Sequence, residues 1–421
     1  MAVRPKLLVL SSLFPSEAQP AAGLFIRERM LRVARHLELV VVAPQPWFPG
    51  QGLVRLFWPH FRPMAPKFER MQGVEVHRPC FFSVPGVLKW TDGYFMALGS
   101  GMTVRRLVRA RGLNLIDAHF GYPDGSAAVL LGHWLKLPVM ITLRGKEERQ
   151  LRQPVAAPLR RAILRADRLL AVSEALKQVA LDVGAKGERI TVVGNGIDLD
   201  KFSPIPQQAA RATLGLPADA KVLVSVGTLV ERKGFHRVFE ALPELMRCHS
   251  NLHYLVVGGP GPEGDISARL RARVAELGLA GRVHFLGHYA PEKLHLPLSA
   301  ADVFVLATSY EGWANVFLEA MACGLPVVTT RVGGNAEVVA SSEVGALVTL
   351  GDQDALTRAL ADALAKPWDR EKIMAYARSN TWERRISVLL GEYAKLLTSA
   401  GTAKLGGLAA GATPDRASVI E

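Results

Sequence analysis

Residues 302–337, DVFVLATSYEGWANVFLEAMACGLPVVTTRVGGNAE, decide how the rest of the chain is read. The apolar run 303–306 reads as a strand, Glu311 and Gly312 as a loop, and about 314–323 as a helix stopped by Gly324. A second strand follows at 326–329, and Gly333-Gly334 turns into another helix. In the first helix Val316, Phe317, Ala320 and Met321 share one side, while Asn315 and Glu319, four apart, share a flank. Glu319 is the only charged residue between Glu311 and Arg331. A carboxylate in so apolar a run is costly without a specific partner. Helical side chains lean toward the N-terminus, so Glu319 reaches back toward the space that Glu311 faces, where free backbone N–H groups favour an anion. Two carboxylates beside such a helix end suit a nucleotide carrying a hydroxyl-rich group. The plain alternative is a buried helix with Glu319 neutralised locally and Glu311 merely solvated.

Outward from this stretch the same rhythm recurs. In the first half, apolar strands at 7–11, 39–42, 115–118, 139–143, 169–172 and 190–193 alternate with helices at 24–35, 101–111, 124–135, 156–166 and 174–183. In the second half, strands fall at 222–226, 254–257, 283–286, 303–306 and 327–329. Continuous apolar strands interleaved with helices indicate parallel sheets covered on both faces. Two doubly wound α/β domains follow, with a boundary near Lys186 and irregular chain at Pro204 and Pro206. Ligands of open parallel sheets sit beyond the carboxyl ends of the strands. His119, Arg144, Asn195, Gly227, Gly258 and Glu311 all fall at such ends.

A length of 421 residues is comfortable for two cores. No apolar run reaches the roughly 18 residues that span a bilayer, and the start, MAVRPKLLVLSSLFP, lacks a secretion signal's cleavage site, so a cytoplasmic protein is expected. Cys80, Cys248 and Cys323 have no metal-type spacing and read as reduced thiols. The net charge of +13 is lopsided: residues 1–190 hold 28 Lys+Arg against 14 Asp+Glu, +14, and the remainder hold 23 against 24, −1. Such asymmetry suits an anionic partner such as phospholipid headgroups, nucleic acid or a phosphorylated acceptor, or simply marks a solvated basic face. Residues 47–96 mix Trp and Phe with Arg, Lys, Pro and Gly too irregularly for an amphipathic helix; they suit a bilayer interface or ordinary loop packing.

The spacing Glu311-x7-Glu319 in EGWANVFLEAMACGLPVV, followed by GGNAEVV, closely resembles the donor-site signature of glycosyltransferase family 4. The resemblance covers about residues 5–398. It implies the GT-B fold, two doubly wound Rossmann-like domains facing each other across a cleft. The first, 1–186, lies on the acceptor side; the second, 187–380, binds the nucleotide sugar. A helix at 381–398 returns to the first domain, and 399–421 reads as a disordered tail.

The resemblance also assigns residues. LFPSEAQPAAGLFIRERM resembles the family's first loop, with Gly23 opening a helix near the donor diphosphate, though a simple turn needs the same glycine. DAHFGYPDGSAAV resembles the active-site histidine loop and places His119 near the anomeric centre; a His at a strand end is otherwise a hydrogen-bonded structural residue. In TLRGKE, Arg144 faces acceptor or diphosphate, or else bridges to Glu147 or Glu148. VLVSVGTLVERKGF resembles the phosphate-binding element, with Lys233 in place and Thr228 where the family commonly has arginine, so that Arg232 is a candidate substitute. Positive charge at that helix start opposes the helix dipole, which favours a bound anion. VVGGPGPEGD supplies the glycine-rich turn at Gly258, VHFLGHYAPEKL the base-reading backbone near Leu286, and Asn195-Gly196-Ile197-Asp198 the family's turn; the Asp198-Leu199-Asp200 triplet is not read as a metal site.

The expected chemistry is transfer with retention from a UDP- or GDP-sugar, with no metal or cofactor. The expected catalytic set is His119, Glu311 and Lys233, and the expected donor-binding set adds Gly23, Arg144, Asn195, Arg232, Gly258, Leu286, Gly312, Asn315 and Glu319. The acceptor is expected to be a saccharide or lipid-linked, in cell-surface polysaccharide or glycolipid assembly, with the protein peripheral on an anionic inner membrane face. The rival from another class is a non-catalytic nucleotide-sugar or membrane-surface binder on the same fold. A nucleic-acid partner is not expected, because it leaves the donor motifs unexplained.

Overall fold

The computed structural model describes residues 4–410 apart from Ala21, Pro59, His60 and Pro262, with side chains described to Ser399. The chain divides into two compact units. The first takes the chain up to Ala171, Lys177–Val193 and the chain from Ile386 on; the second takes Val172–Leu176 and Gly194–Arg385.

The strands of the first unit are β1 (Leu7–Leu10), β2 (Leu39–Val42), β3 (Gln45–Trp47), β4 (Phe68–Met71), β5 (Val74–His77), β6 (Cys80–Phe82), β7 (Leu115–His119), β8 (Val139–Leu143), β9 (Arg168–Ala171) and β10 (Ile190–Val192). Eight form one sheet in the order β10-β9-β8-β7-β1-β2-β5-β4, with only β4 antiparallel. From β5 to β9 this is the 3-2-1-4-5-6 order of a doubly wound sheet. The central strands are apolar throughout and buried on both faces, because helices cover both. In register, Leu10 stands opposite Val42 and Ala118, and His119 extends one place beyond, opposite Thr142.

The second unit repeats the plan with β11 (Lys221–Val226), β12 (Leu252–Val257), β13 (Val283–Gly287), β14 (Val303–Leu306), β15 (Val327–Thr330) and β16 (Gly345–Val348), ordered β13-β12-β11-β14-β15-β16 and parallel. Alternate residues feed two cores. Leu223, Tyr254, Val303 and Val305 pack with the helices Phe235–Cys248 and Gln353–Ala365. Val222, Val224, Phe304 and Leu306 pack with Asn315–Ala322 and Arg370–Arg378.

Several expectations are corrected. The boundary expected near Lys186 falls after Val193, because β10 pairs with β9 as the edge of the first sheet. The helix expected from residue 101 begins at Asp92. Gly93 and Gly99 argue against helix by propensity, yet a Cβ on Gly99 would run into the Cys80 carbonyl, so the glycine is what lets the helix lie on β6. Residues 47–96 are more regular than expected: β3 pairs with β6, β4 with β5, and Gln51–Phe57 is helical. The expected tail is helical as far as Ala410, as a continuation of the final helix, which starts at Trp382; residues 411–421 lie outside the described residues. Among the described residues no helix is long and apolar enough to cross a membrane.

Candidate active site

In the second unit a charged cluster forms where loops leave β11 and β14. Glu311 Oε1 accepts from Lys233 Nζ at 2.6 Å, from Arg232 Nη1 at 3.0 Å and from Thr308 Oγ1 at 3.2 Å. Arg232 is divided. Its Nε and Nη2 make a two-pronged contact with Glu263 at 3.1 and 3.0 Å, and Nη1 also donates to the Tyr310 carbonyl at 3.0 Å. Among the described residues Lys233 is engaged by Glu311 alone, so it is the less committed cation.

Glycines make this convergence sterically feasible. Gly234 sits at φ +73°, and a Cβ there would occupy the Ala307 carbonyl, so the turn Glu231–Lys233 can abut the end of β14. Gly258, at φ +147°, lies equally close to the Gly227 carbonyl. The Gly333-Gly334 turn rests on the backbone of Glu311 and Gly312, and Gly334 N–H donates to the Glu311 carbonyl at 3.2 Å. The two halves of the opening motif therefore brace each other.

Glu319 differs from Glu311. Among the described residues it makes no hydrogen bond or ion pair, and burial pushes its carboxyl up to about 7 against the pull of Lys201 and Lys233. Asn315, one turn earlier, accepts from Asn195 Nδ2 at 2.9 Å, which ties the 195–198 turn to the start of the helix. Asp198 caps its own turn, accepting from the N–H groups of Asp200 at 3.1 Å and Lys201 at 3.4 Å. Val256 of β12 stands opposite Phe285 of β13 and Val257 opposite Gly287, so Leu286 is the extra residue of a bulge, a device that re-aims the strand end.

In the first unit His119 and Arg144 meet. Arg144 Nε and Nη2 approach His119 Nδ1 at 3.1 and 2.8 Å. A guanidinium can only donate, so Nδ1 accepts and the ring proton lies on Nε2. Among the described residues that nitrogen has no hydrogen-bond partner; Asp117 Oδ2, at 3.9 Å, is too far. Burial first, then Arg144 and Arg29, hold His119 well below the ordinary imidazole range, so it is neutral. Glu147 accepts from the backbone N–H groups of Gly121, Arg144 and Gly145, shaping the loop. Gly23, at φ +68°, precedes the helix Leu24–Val33 with a Cβ position filled by the Leu13 carbonyl.

Some partners were not anticipated from the sequence. Asp117 accepts from Tyr393 Oη at 2.6 Å, and burial raises its carboxyl to about 6. Arg29, fully buried, donates Nη2 to the Val193 carbonyl at 3.0 Å. Asp117 is legible as a charge inside an apolar strand, the same signal that singles out Glu319, whereas Arg29 is hidden among Arg27, Glu28 and Arg32 on its helix. Glu337 accepts from the N–H groups of Glu174 and Ala175, at 2.8 and 3.2 Å, at the start of the helix Glu174–Asp182.

Comparison with known proteins follows the same division. A family model for group 1 glycosyl transferases matches residues 206–380, and one for glycosyltransferase family 4 matches residues 53–201. TuaC of Bacillus subtilis, a glycosyltransferase whose name assigns it to teichuronic acid biosynthesis, is 30% identical over 340 residues, covering 78% of this chain and 82% of TuaC. The D-inositol 3-phosphate glycosyltransferase of Corynebacterium urealyticum is 36% identical over 220 residues, 50% of this chain and 52% of that protein. Anabaena HepE, solved in complex with UDP, superposes with a TM-score of 0.68 at 20% identity, covering 94% of this chain and all of HepE. Sucrose-phosphate synthase of Thermosynechococcus elongatus does so with a TM-score of 0.68 at 22% identity, over 97% of this chain and 100% of that one. The architecture is therefore GT-B, and the chain belongs to the group 1, family 4 glycosyltransferases.

Proposed function

We propose that the protein transfers a sugar, with retention and without a metal ion, from a nucleotide-diphosphate donor to a saccharide or lipid-linked acceptor. The observation that carries this reading is the pairing of Lys233 and Arg232 on Glu311, with Glu319 near enough to feel the Lys233 charge yet without a partner of its own among the described residues. In the proposed step the bond from the anomeric carbon to the diphosphate oxygen breaks and its electrons leave with the diphosphate. The acceptor hydroxyl attacks from the face being vacated, and its proton passes to the departing phosphate. Lys233, helped by Arg232, takes up the developing negative charge, the role a divalent ion plays elsewhere. Glu319 accepts from the ribose hydroxyls. Glu311 positions Lys233 and serves the transferred sugar with His119, whose free Nε2–H is a neutral donor. Gly258, Leu286, Gly312, Asn195 and Asn315 shape the nucleotide side; Gly23 and Arg144 are assigned to diphosphate or acceptor.

TuaC's name supports a place in cell-surface polysaccharide assembly. A lipid-linked acceptor at an anionic inner membrane face is favoured by one further observation. Tyr94, Leu98 and Met102, four apart on the helix Asp92–Arg111, are exposed, Met102 to 86%, and lead into exposed Arg105, Arg106 and Arg109. Leu53, Leu56, Phe57 and Trp58 are exposed as well, the pattern of an interfacial anchor.

Calorimetry and donor hydrolysis across a panel of UDP- and GDP-sugars test the donor reading. One donor should bind and be slowly hydrolysed without added metal, and Lys233→Ala should lower turnover more than Arg232→Ala, whose charge is shared with Glu263. Binding without hydrolysis or transfer favours the non-catalytic rival. No binding by any donor overturns the transferase reading and leaves only a membrane-surface binder.

A further inference from the structure

The first unit contains a cavity of about 100 Å³ whose walls include Ser12, Ser16, Gln19, Gln45, Arg62 and Arg78. Ser12 follows β1, Gln45 follows β2, and Arg78 follows β5. Three neighbouring parallel strands thus point their carboxyl ends at it, where open sheets hold ligands. Gln45 fixes one wall: its Nε2 donates to the Ala65 carbonyl at 3.0 Å and its Oε1 accepts from Ala65 N–H at 2.7 Å, binding the segment after Arg62 to β3. Arg62 holds φ +43°, an unfavourable value for a side chain of its size. Its Nη1 donates to the Ser83 carbonyl at 2.6 Å, and among the described residues no carboxylate pairs with it. Arg78 is 2% exposed; Nη2 donates to the Pro15 carbonyl at 2.7 Å and to Glu69 at 2.5 Å, and Nη1 is buried with no partner among the described residues.

Two guanidinium groups therefore line the cavity with N–H donors left over, Glu69 offsetting Arg78 and the Asp92 charge acting on Arg62 from beyond ion-pair distance. Planar guanidinium forks match carboxylate and phosphate oxygens. A water needs only about 10–15 Å³ of such space, so the cavity has ample room for a small anionic group. We infer that this cavity binds the anionic group, carboxylate or phosphate, of the sugar-accepting substrate. The inference rests on the transferase reading for the word acceptor, but the anion site itself does not.

The test uses the full chain, with calorimetric titration by inorganic phosphate, D-glucuronate and D-glucose. Phosphate or glucuronate should bind saturably with one site per chain, the stronger of the two naming the source, and glucose should not bind. Arg62→Gln should weaken that binding about tenfold or more, and Arg62→Lys, which keeps charge but loses the fork, should fall between. UDP affinity should be unchanged in Arg62→Gln, which separates failure here from failure of the donor site. If Arg62→Gln is destabilised, phenylglyoxal modification of Arg62 in the unaltered protein, mapped by mass spectrometry, gives the same answer, because a bound anion should slow it. Absence of binding by both anions, binding undiminished in a folded Arg62→Gln, or modification at the same rate with and without phosphate would overturn the proposal.

Discussion

Among the described residues neither the half-buried Glu319 carboxyl nor Nε2 of the buried His119 has a hydrogen-bond partner, and each makes a prediction. Burial holds the Glu319 carboxyl at about 7 against a usual 4.5. A raised carboxyl contributes most below its unfolded value, and that contribution is lost as pH rises from 4.5 through 7. Glu319→Gln should therefore unfold at a higher temperature than the parent at pH 8 and at nearly the same temperature at pH 5. The bound on this gain is about 3 kcal/mol, reduced because the side chain still meets some solvent. The same change should weaken donor binding by about 1.5–3 kcal/mol in calorimetry, the usual worth of a hydrogen bond to a charged group. Unchanged donor affinity would assign Glu319 to structure. His119 should stay neutral, with its proton on Nε2, from pH 8 down to pH 5; nitrogen shifts in an NMR titration check this, and a midpoint near 6.5 would contradict the burial argument. At this scale the sequence is legible where a charge interrupts an apolar run, as at Glu319 and Asp117. It is silent on pairs such as Arg232 with Glu263, 31 positions apart, where neither residue type nor spacing points to the other.

Strands and loops carry a different sort of constraint, because backbone approaches backbone. At the carboxyl ends of β11 and β12, a Cβ on Gly258 would occupy the position of the Gly227 carbonyl, at a φ that only glycine adopts readily, whereas Gly259 has open space around it. Gly258→Ala should lower stability by about 2 kcal/mol or more, read from the urea midpoint, and Gly259→Ala should leave it nearly unchanged. Equal midpoints would mean that the loop relaxes freely. Elements of this kind were mostly readable: 39–42, 139–143 and 303–306 fall where the apolar runs place them. Short strands with mixed side chains were not. In β4, FERM, exposed and half-buried residues alternate at an edge, so no apolar run marks it, and β16, GALV, opens on Gly and Ala, which strands disfavour. The helix Asp92–Arg111 was shortened by glycines that serve close packing and count against it by propensity.

The path of the whole chain makes the first unit depend on its last segment. The final helix starts in the second unit at Trp382, which leaves no room for a side chain on Gly196, and from Ile386 on it belongs to the first. There Ile386, Leu389, Tyr393 and Leu396 are each no more than 3% exposed, Glu392 pairs with Arg168, and Tyr393 Oη donates to Asp117. At roughly 1.5–3 kcal/mol for each buried side chain, these four approach the total stability of a typical domain, about 5–15 kcal/mol. A chain ending at Arg385 should accordingly lose hydrogen-exchange protection across β1, β7 and β8 while β11 to β15 keep theirs. Tyr393→Phe is the gentler probe. It leaves the packing and removes only the donor to Asp117, a cost of about 1–3 kcal/mol where the carboxylate is ionised. Because the Asp117 carboxyl already stands at about 6 against 3.8, it is protonated in the folded chain at pH 5 and charged at pH 8. The loss should therefore be small at pH 5 and grow toward pH 8 in thermal unfolding. A loss that is the same at both values would mean that the Tyr393 hydroxyl supports something other than the Asp117 charge, and a fully protected first sheet in the shortened chain would make the returning helix dispensable.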